Sequence, residues 1–169
     1  FVNGKSMGVR KKHKATAQNR YRLMWMDVVY EPGTLKVVAY DENGIKQAVK
    51  EIHTAGKVTG FALEADRSTL VANGKDLSFI TVSALDKDGN FCPLAANDLE
   101  FTVKGQGSFK AVCNGDPTSL EMFHLPKMKL FSGKLVVLVE STSTEGDIIL
   151  EVKAKGVKAQ KISLNSKSN

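Results

Sequence analysis

Carboxylates, imidazoles, thiols and hydroxyls are where chemistry would start in this chain of 169 residues. Acid–base and nucleophilic catalysis need such groups paired within hydrogen-bond reach. Glu31, Glu42, Glu51, Glu64, Glu100, Glu121, Glu140, Glu145 and Glu151 instead fall singly at strand or turn positions and read as solvated faces. His13, His53 and His124 are isolated, and no serine has the strand–turn–helix context of a nucleophile elbow. Asp86-Lys87-Asp88-Gly89 has the look of a calcium loop. An EF-hand, however, needs Gly at its sixth position and Glu at its twelfth, where this chain has Phe91 and Asn97. Cys92 and Cys113 are too few for a disulfide framework or a zinc site. A bridge between two strands stays open, but two free, half-buried thiols fit better, because cysteine packs as a small apolar side chain. No catalytic residue, cofactor or metal site is assigned.

The charge is uneven. The formal net charge is +6, and seven basic residues with no acid lie between Lys5 and Arg22, which leaves −1 for the rest. A nucleic-acid surface would interleave aromatic side chains with the cations for base stacking, and none occurs between Lys5 and Arg20. The stretch reads as a solvated loop and strand edge, with no nucleic acid as partner. No apolar run is long enough to span a membrane. The first residues, Phe1-Val2-Asn3-Gly4, are unlike a signal peptide and read as the middle of a strand, as in a piece of a longer chain.

The elements that must carry these residues are strands. Lys75 to Leu85 is the strongest, with Ile80, Val82 and Ala84 on one face and Thr81 and Ser83 on the other. That period of two marks a sheet packed on a core through one side. Asp86 to Asn90 then turns the chain, since Gly and Asn accept the positive φ of tight turns. Further strands are expected around Phe61–Leu63 and Leu70, over Leu99–Val103, Phe109–Cys113, Leu130–Glu140 and Ile148–Ala154, and around Ile162–Leu164, with a tail from Lys167. Short strands with turns every eight to twelve residues argue a sandwich. Upstream, Phe1–Lys12 reads as a hairpin through Asn3-Gly4, His13–Asn19 as a loop and Tyr21–Tyr30 as a strand with Leu23 and Trp25 on one side. Trp25 at such a position is expected in the core. Leu35–Tyr40 and Lys46–His53 form a second hairpin, and no convincing helix is seen. The fold class is all-β, two immunoglobulin-like β-sandwich modules in tandem, the first truncated, with residues 1–56 and 57–169 as the domains.

The run Tyr30-Glu31-Pro32-Gly33-Thr34-Leu35-Lys36-Val37-Val38-Ala39-Tyr40, preceded by Trp25 and closed by Thr54-Ala55-Gly56, carries a narrower signal. So do Asn114-Gly115-Asp116-Pro117-Thr118-Ser119 and Phe131-Ser132-Gly133-Lys134. Over nearly its whole length the chain resembles the C-terminal region of glycoside hydrolase family 2 β-galactosidases. The resemblance implies a first sandwich lacking its initial strands, with exposed edges through which an oligomer can form. Retaining glycosidases flank the sugar bond with two carboxylates. In this family both are glutamates of a barrel that this chain does not contain. The resemblance thus implies a non-catalytic accessory region, with the catalytic part of a parent enzyme as partner, carbohydrate as a second partner, and a periplasmic or extracellular bacterial location. A carbohydrate-binding module and an immunoglobulin-like repeat of a surface or adhesion protein are the alternatives.

The stretch Asn114–Lys129 is the candidate contact surface. It exceeds the ~12–15 residues beyond which structureless loops are uncommon unless functional or disordered. Met122, Phe123, Leu125, Met128 and Leu130 are apolar, which suits a contact patch, although folding back onto the sandwich explains them equally. Asn114, Asp116 and Phe123 are the residues singled out, the first two as polar contacts at the tip.

Overall fold

The computed structural model describes residues 1–168. The chain divides into two compact units, Phe1–Thr54 and a larger one from Ala55 onward.

The smaller unit is built on two antiparallel strands, β1 (Thr34–Tyr40) and β2 (Lys46–His53), with Leu35 opposite Ile52 and Val38 opposite Val49. The turn between them is organised by Asp41, whose carboxylate accepts the amides of Asn43 and Ile45 at 2.9 and 2.8 Å. The expected hairpin at the N-terminus shrinks to a single bridge, Val2 to Lys5, and Val2 also bridges to Leu35. Val2 is the only buried hydrophobic residue of this unit, and Leu35, Val37 and Ile52 remain about half exposed. A two-stranded sheet has no second layer to bury its apolar face against, which makes it marginal by itself.

The expected strand over Tyr21–Tyr30 does not form. Residues 6–33 make one long excursion whose regular structure is a single turn of helix, α1 (Ala17–Tyr21), where a loop and no helix were expected. Thr16 caps it, with Oγ1 accepting the amide of Asn19 at 3.2 Å. Trp25 is half-buried outside any core, and its indole N–H donates to the carbonyl of Gly8 at 3.1 Å. Leu23 and Trp25 alternate correctly, but no neighbouring strand pairs with them, and alternation without a partner does not make a strand.

The larger unit is a sandwich of two sheets. One is ordered β3 (Gly60–Ala65), β5 (Leu77–Leu85), β9 (Lys134–Ser141), β7 (Gly107–Cys113). The other is ordered β4 (Thr69–Val71), β11 (Val157–Lys167), β10 (Gly146–Ala154), β6 (Asp98–Gly105), β8 (Lys127–Lys129). All pairs are antiparallel except β4 with β11. The alternation read in the sequence is the burial pattern. Ile80, Val82, Ala84, Leu135, Val137, Val139, Ile148, Leu150 and Val152 point inward and are buried. In register, Ile80, Val137 and Val112 form one row across the first sheet. Phe101 and Phe109 add an offset stack at 6.2 Å between ring centroids.

Three boundaries differ from expectation. Lys127–Lys129, assigned to the irregular loop, form β8 against Asp98–Glu100. Leu130–Gly133 do not open the next strand but turn the chain, with Ser132 and Gly133 at φ 49° and 77°. Lys167 is not tail but the end of β11, opposite Val71.

Candidate contact surface

The connection from β7 to β8 passes from one sheet of the sandwich to the other, and backbone hydrogen bonds tie it to both. The amide of Val112 in β7 donates to the carbonyl of Phe123 at 2.8 Å, and that of Phe101 in β6 donates to the carbonyl of Pro126 at 2.9 Å. Asn114 closes the base of the loop, its side-chain amide donating to the carbonyl of Lys129 at 2.9 Å. The carboxylate of Glu121 receives the amide of Lys129 from the other side, at 3.1 Å. At the tip, Oδ1 of Asn114 accepts the amide of Asp116 at 3.0 Å. The carboxylate of Asp116 accepts the amide and hydroxyl of Thr118 at 2.9 and 2.7 Å. Those two hydrogen bonds hold the Asp116 carboxyl below the usual carboxylate range.

These bonds sort the singled-out residues. Asn114 and Asp116 are half-buried and spend their polar atoms on the loop itself. The apolar side chains divide. Met128 and Leu130 are buried in the sandwich at 1% and 2% exposure, whereas Leu120, Met122 and Phe123 stand out at 96%, 59% and 59%. Folding back therefore explains Met128 and Leu130 and leaves the others without cover. Leu120 is exposed and was not singled out. Its position in a polar run, Pro117-Thr118-Ser119-Leu120-Glu121, was the available signal.

The remaining chemistry-bearing residues fall into structural roles. Asp86 is 6% exposed. Its carboxylate accepts the amides of Gly56, Asp88 and Asn90 at 2.8, 2.9 and 2.8 Å and the side-chain amide of Asn90 at 3.1 Å. The Gly56 hydrogen bond leads these in pulling its carboxyl down to about 2, against the opposing effect of burial. The calcium-like turn is thus a carboxylate saturated by the chain's own donors. Glu140 meets Lys110 at 2.8 Å, Glu51 meets Lys36 at 3.7 Å, and Glu151 lies within 3.6 Å of Lys153 and Lys161. Cys92 is buried and Cys113 exposed, and neither is bonded to the other. Among the described residues no three His, Cys, Asp or Glu side chains converge as a metal site.

Residues 61–163, most of the sandwich, match the family model described as glycoside hydrolase family 2 C-terminal domain 5. The chain belongs to glycoside hydrolase family 2. Residues 1–48 match a domain of unknown function, DUF4982. Among curated proteins, the β-galactosidase BoGH2A of Bacteroides ovatus is 44% identical over 94% of this chain and 18% of its own length. A β-glucuronidase of Formosa agariphila is 25% identical over 98% of this chain and 16% of its own. Among solved structures, a glycosyl hydrolase family 2 member from Bacteroides cellulosilyticus superposes with a TM-score of 0.88 at 34% identity, covering 99% of this chain and 21% of that one. The chain thus spans about a fifth of the length of the relatives it matches, and these are bacterial glycosidases. No helix among the described residues is long and apolar enough to cross a membrane.

Proposed function

We propose that this chain is a non-catalytic accessory region of a bacterial family 2 glycosidase, a β-galactosidase, and that the β7–β8 connection packs against the enzyme's catalytic part. The observation that carries the reading is the division within that loop. Its backbone is fastened to both sheets, while Leu120, Met122 and Phe123 stand free of the core. A loop that needed only to connect would bury such side chains or replace them with polar ones. Apolar groups on a rigid support are instead what a contact surface needs. The 44% identity to a β-galactosidase supports the parent's substrate class. On this reading the chain works where the parent degrades polysaccharide, in the periplasm or outside the cell. The test is Phe123→Ala and Asp116→Ala in the full-length enzyme. Expected is a lower melting temperature of the whole enzyme or a changed KM. Wild-type stability, KM and kcat in both variants overturn the reading.

A further inference from the structure

We propose that the excursion over residues 6–33 of the smaller unit, with Lys5 at its base, binds an acidic polysaccharide through its basic stretch. The inference rests on family membership and on this loop's geometry, and is independent of how the β7–β8 connection docks.

The excursion leaves and rejoins the sheet at one point. Asn3 clamps its base: the Asn3 side chain accepts the amide of Thr34 at 2.7 Å and donates to the carbonyl of Pro32 at 3.1 Å. Gly33 is packed so closely on Asn3 that a Cβ there would collide with the Asn3 side chain. Inside, α1 is the one regular element and local bonds hold the rest. Trp25 donates to Gly8, and His13 pairs with Asn19 at 2.8 Å. Structureless connections this long are uncommon unless functional or disordered, and the pinned ends and internal bonds of this one set it apart from a free linker.

From Lys5 to Arg22 its charge is one-sided. Lys5, Arg10, Lys11, Lys12, Lys14, Arg20 and Arg22 are all exposed, and among the described residues none of them forms an ion pair. Elsewhere in the chain lysines do find carboxylates, as Lys110 finds Glu140 and Lys161 finds Glu151. Against these seven cations the excursion sets two carboxylates, Asp27 and Glu31, both beyond Arg22, so the balance is +5 (seven minus two) and the basic stretch still attracts a polyanion and gains by releasing its counterions. Between Lys5 and Arg22 the exposed aromatic ring is Tyr21, with the Arg20 guanidinium 6.0 Å from its centroid, while Tyr30, equally exposed, lies beyond the basic stretch. One ring at the end of the run suits one sugar face. It does not suit a nucleic acid, whose successive bases need aromatic side chains interleaved with the cations. In a family whose members act on glycans, the polyanion that fits is a polysaccharide bearing carboxylate or sulfate groups.

The test titrates the full chain with polygalacturonate in low salt by calorimetry, beside neutral galactan and duplex DNA. Expected is saturable binding to polygalacturonate, none to galactan, and a loss of at least about tenfold on raising salt several-fold, as counterion release demands. The combined change Lys11→Ala, Lys12→Ala and Lys14→Ala should cut affinity by roughly tenfold or more. The same loss of charge at Lys75, Lys155 and Lys158, exposed in the larger unit, should leave it unchanged. Tyr21→Ala should weaken polygalacturonate binding and not DNA binding. Absence of binding, equal losses from the two triple variants, or tighter binding of duplex DNA overturns the proposal.

Discussion

The carboxylate of Asp86 accepts the backbone N–H of Gly56, thirty residues earlier in the chain, at 2.8 Å. The same carboxylate organises the turn that follows β5, so the start of the larger unit and its central strand share one anchor. Because these bonds favour the charged form, the folded-state pKa of about 2 lies below the unfolded value of about 3.9. The stabilisation is fully present above the unfolded value and is lost as pH falls through the folded one. Urea midpoints of the larger unit should therefore be flat above about pH 5 and decline between about pH 4 and 2. Asp86→Asn should lower the midpoint at neutral pH and flatten that acid decline. An unchanged decline in the variant would assign the acid sensitivity to other carboxylates.

Two glycines separate close packing from backbone conformation. Gly133 and Gly89 share a positive φ, 77° and 79°. A Cβ at Gly133 would strike the carbonyl of Cys92 and lie 3.0 Å from the Phe91 ring, while at Gly89 it would meet open space. Gly89→Ala should cost about 1 kcal/mol and Gly133→Ala clearly more, about 2–4 kcal/mol. Equal thermal shifts in the two variants would contradict the packing at Gly133.

The two thiols should separate by accessibility. Burial pushes the Cys92 thiol up, reinforced by the nearby Asp86 carboxylate, and Cys113 is exposed at the end of β7. In the native chain a thiol reagent should titrate one cysteine rapidly and the second only on unfolding. Peptide mapping that finds Cys92 labelled first would falsify the assignment.

Stability should follow burial along the chain. Leu150 is fully buried, and Leu150→Ala should cost about 2–5 kcal/mol, whereas Val37, half exposed, should change little when truncated. Amide exchange should be slower over Ile80–Ala84 than over Leu35–Ala39 in the isolated chain. The opposite order would mean that the exposed edge of β2 is capped by association, which a sedimentation measurement would detect.

The sequence by itself determined the sandwich and most of its strands. Inward and outward residues alternate within each strand, so Ile80, Val82 and Ala84 announce their face without reference to any other part of the chain. The resemblance in Tyr30–Tyr40 and in the Asn114 and Phe131 stretches led to the family that the comparisons show. What only the tertiary structure decided depends on partners far away. β4 is a strand because Thr69–Val71 lies beside Asn165–Lys167, and β8 because Lys127–Lys129 lies beside Asp98–Glu100. Leu23 and Trp25 have the alternation of a strand and no partner, so their segment stays irregular. The loop's apolar residues were equally ambiguous as types. Met128 was drawn into the core because its strand found β6, and Phe123 was left in solvent because the loop contributes only its backbone carbonyl to β7. Alternation is local and can be read along the chain, whereas pairing is a long-range choice made only when the sheets assemble.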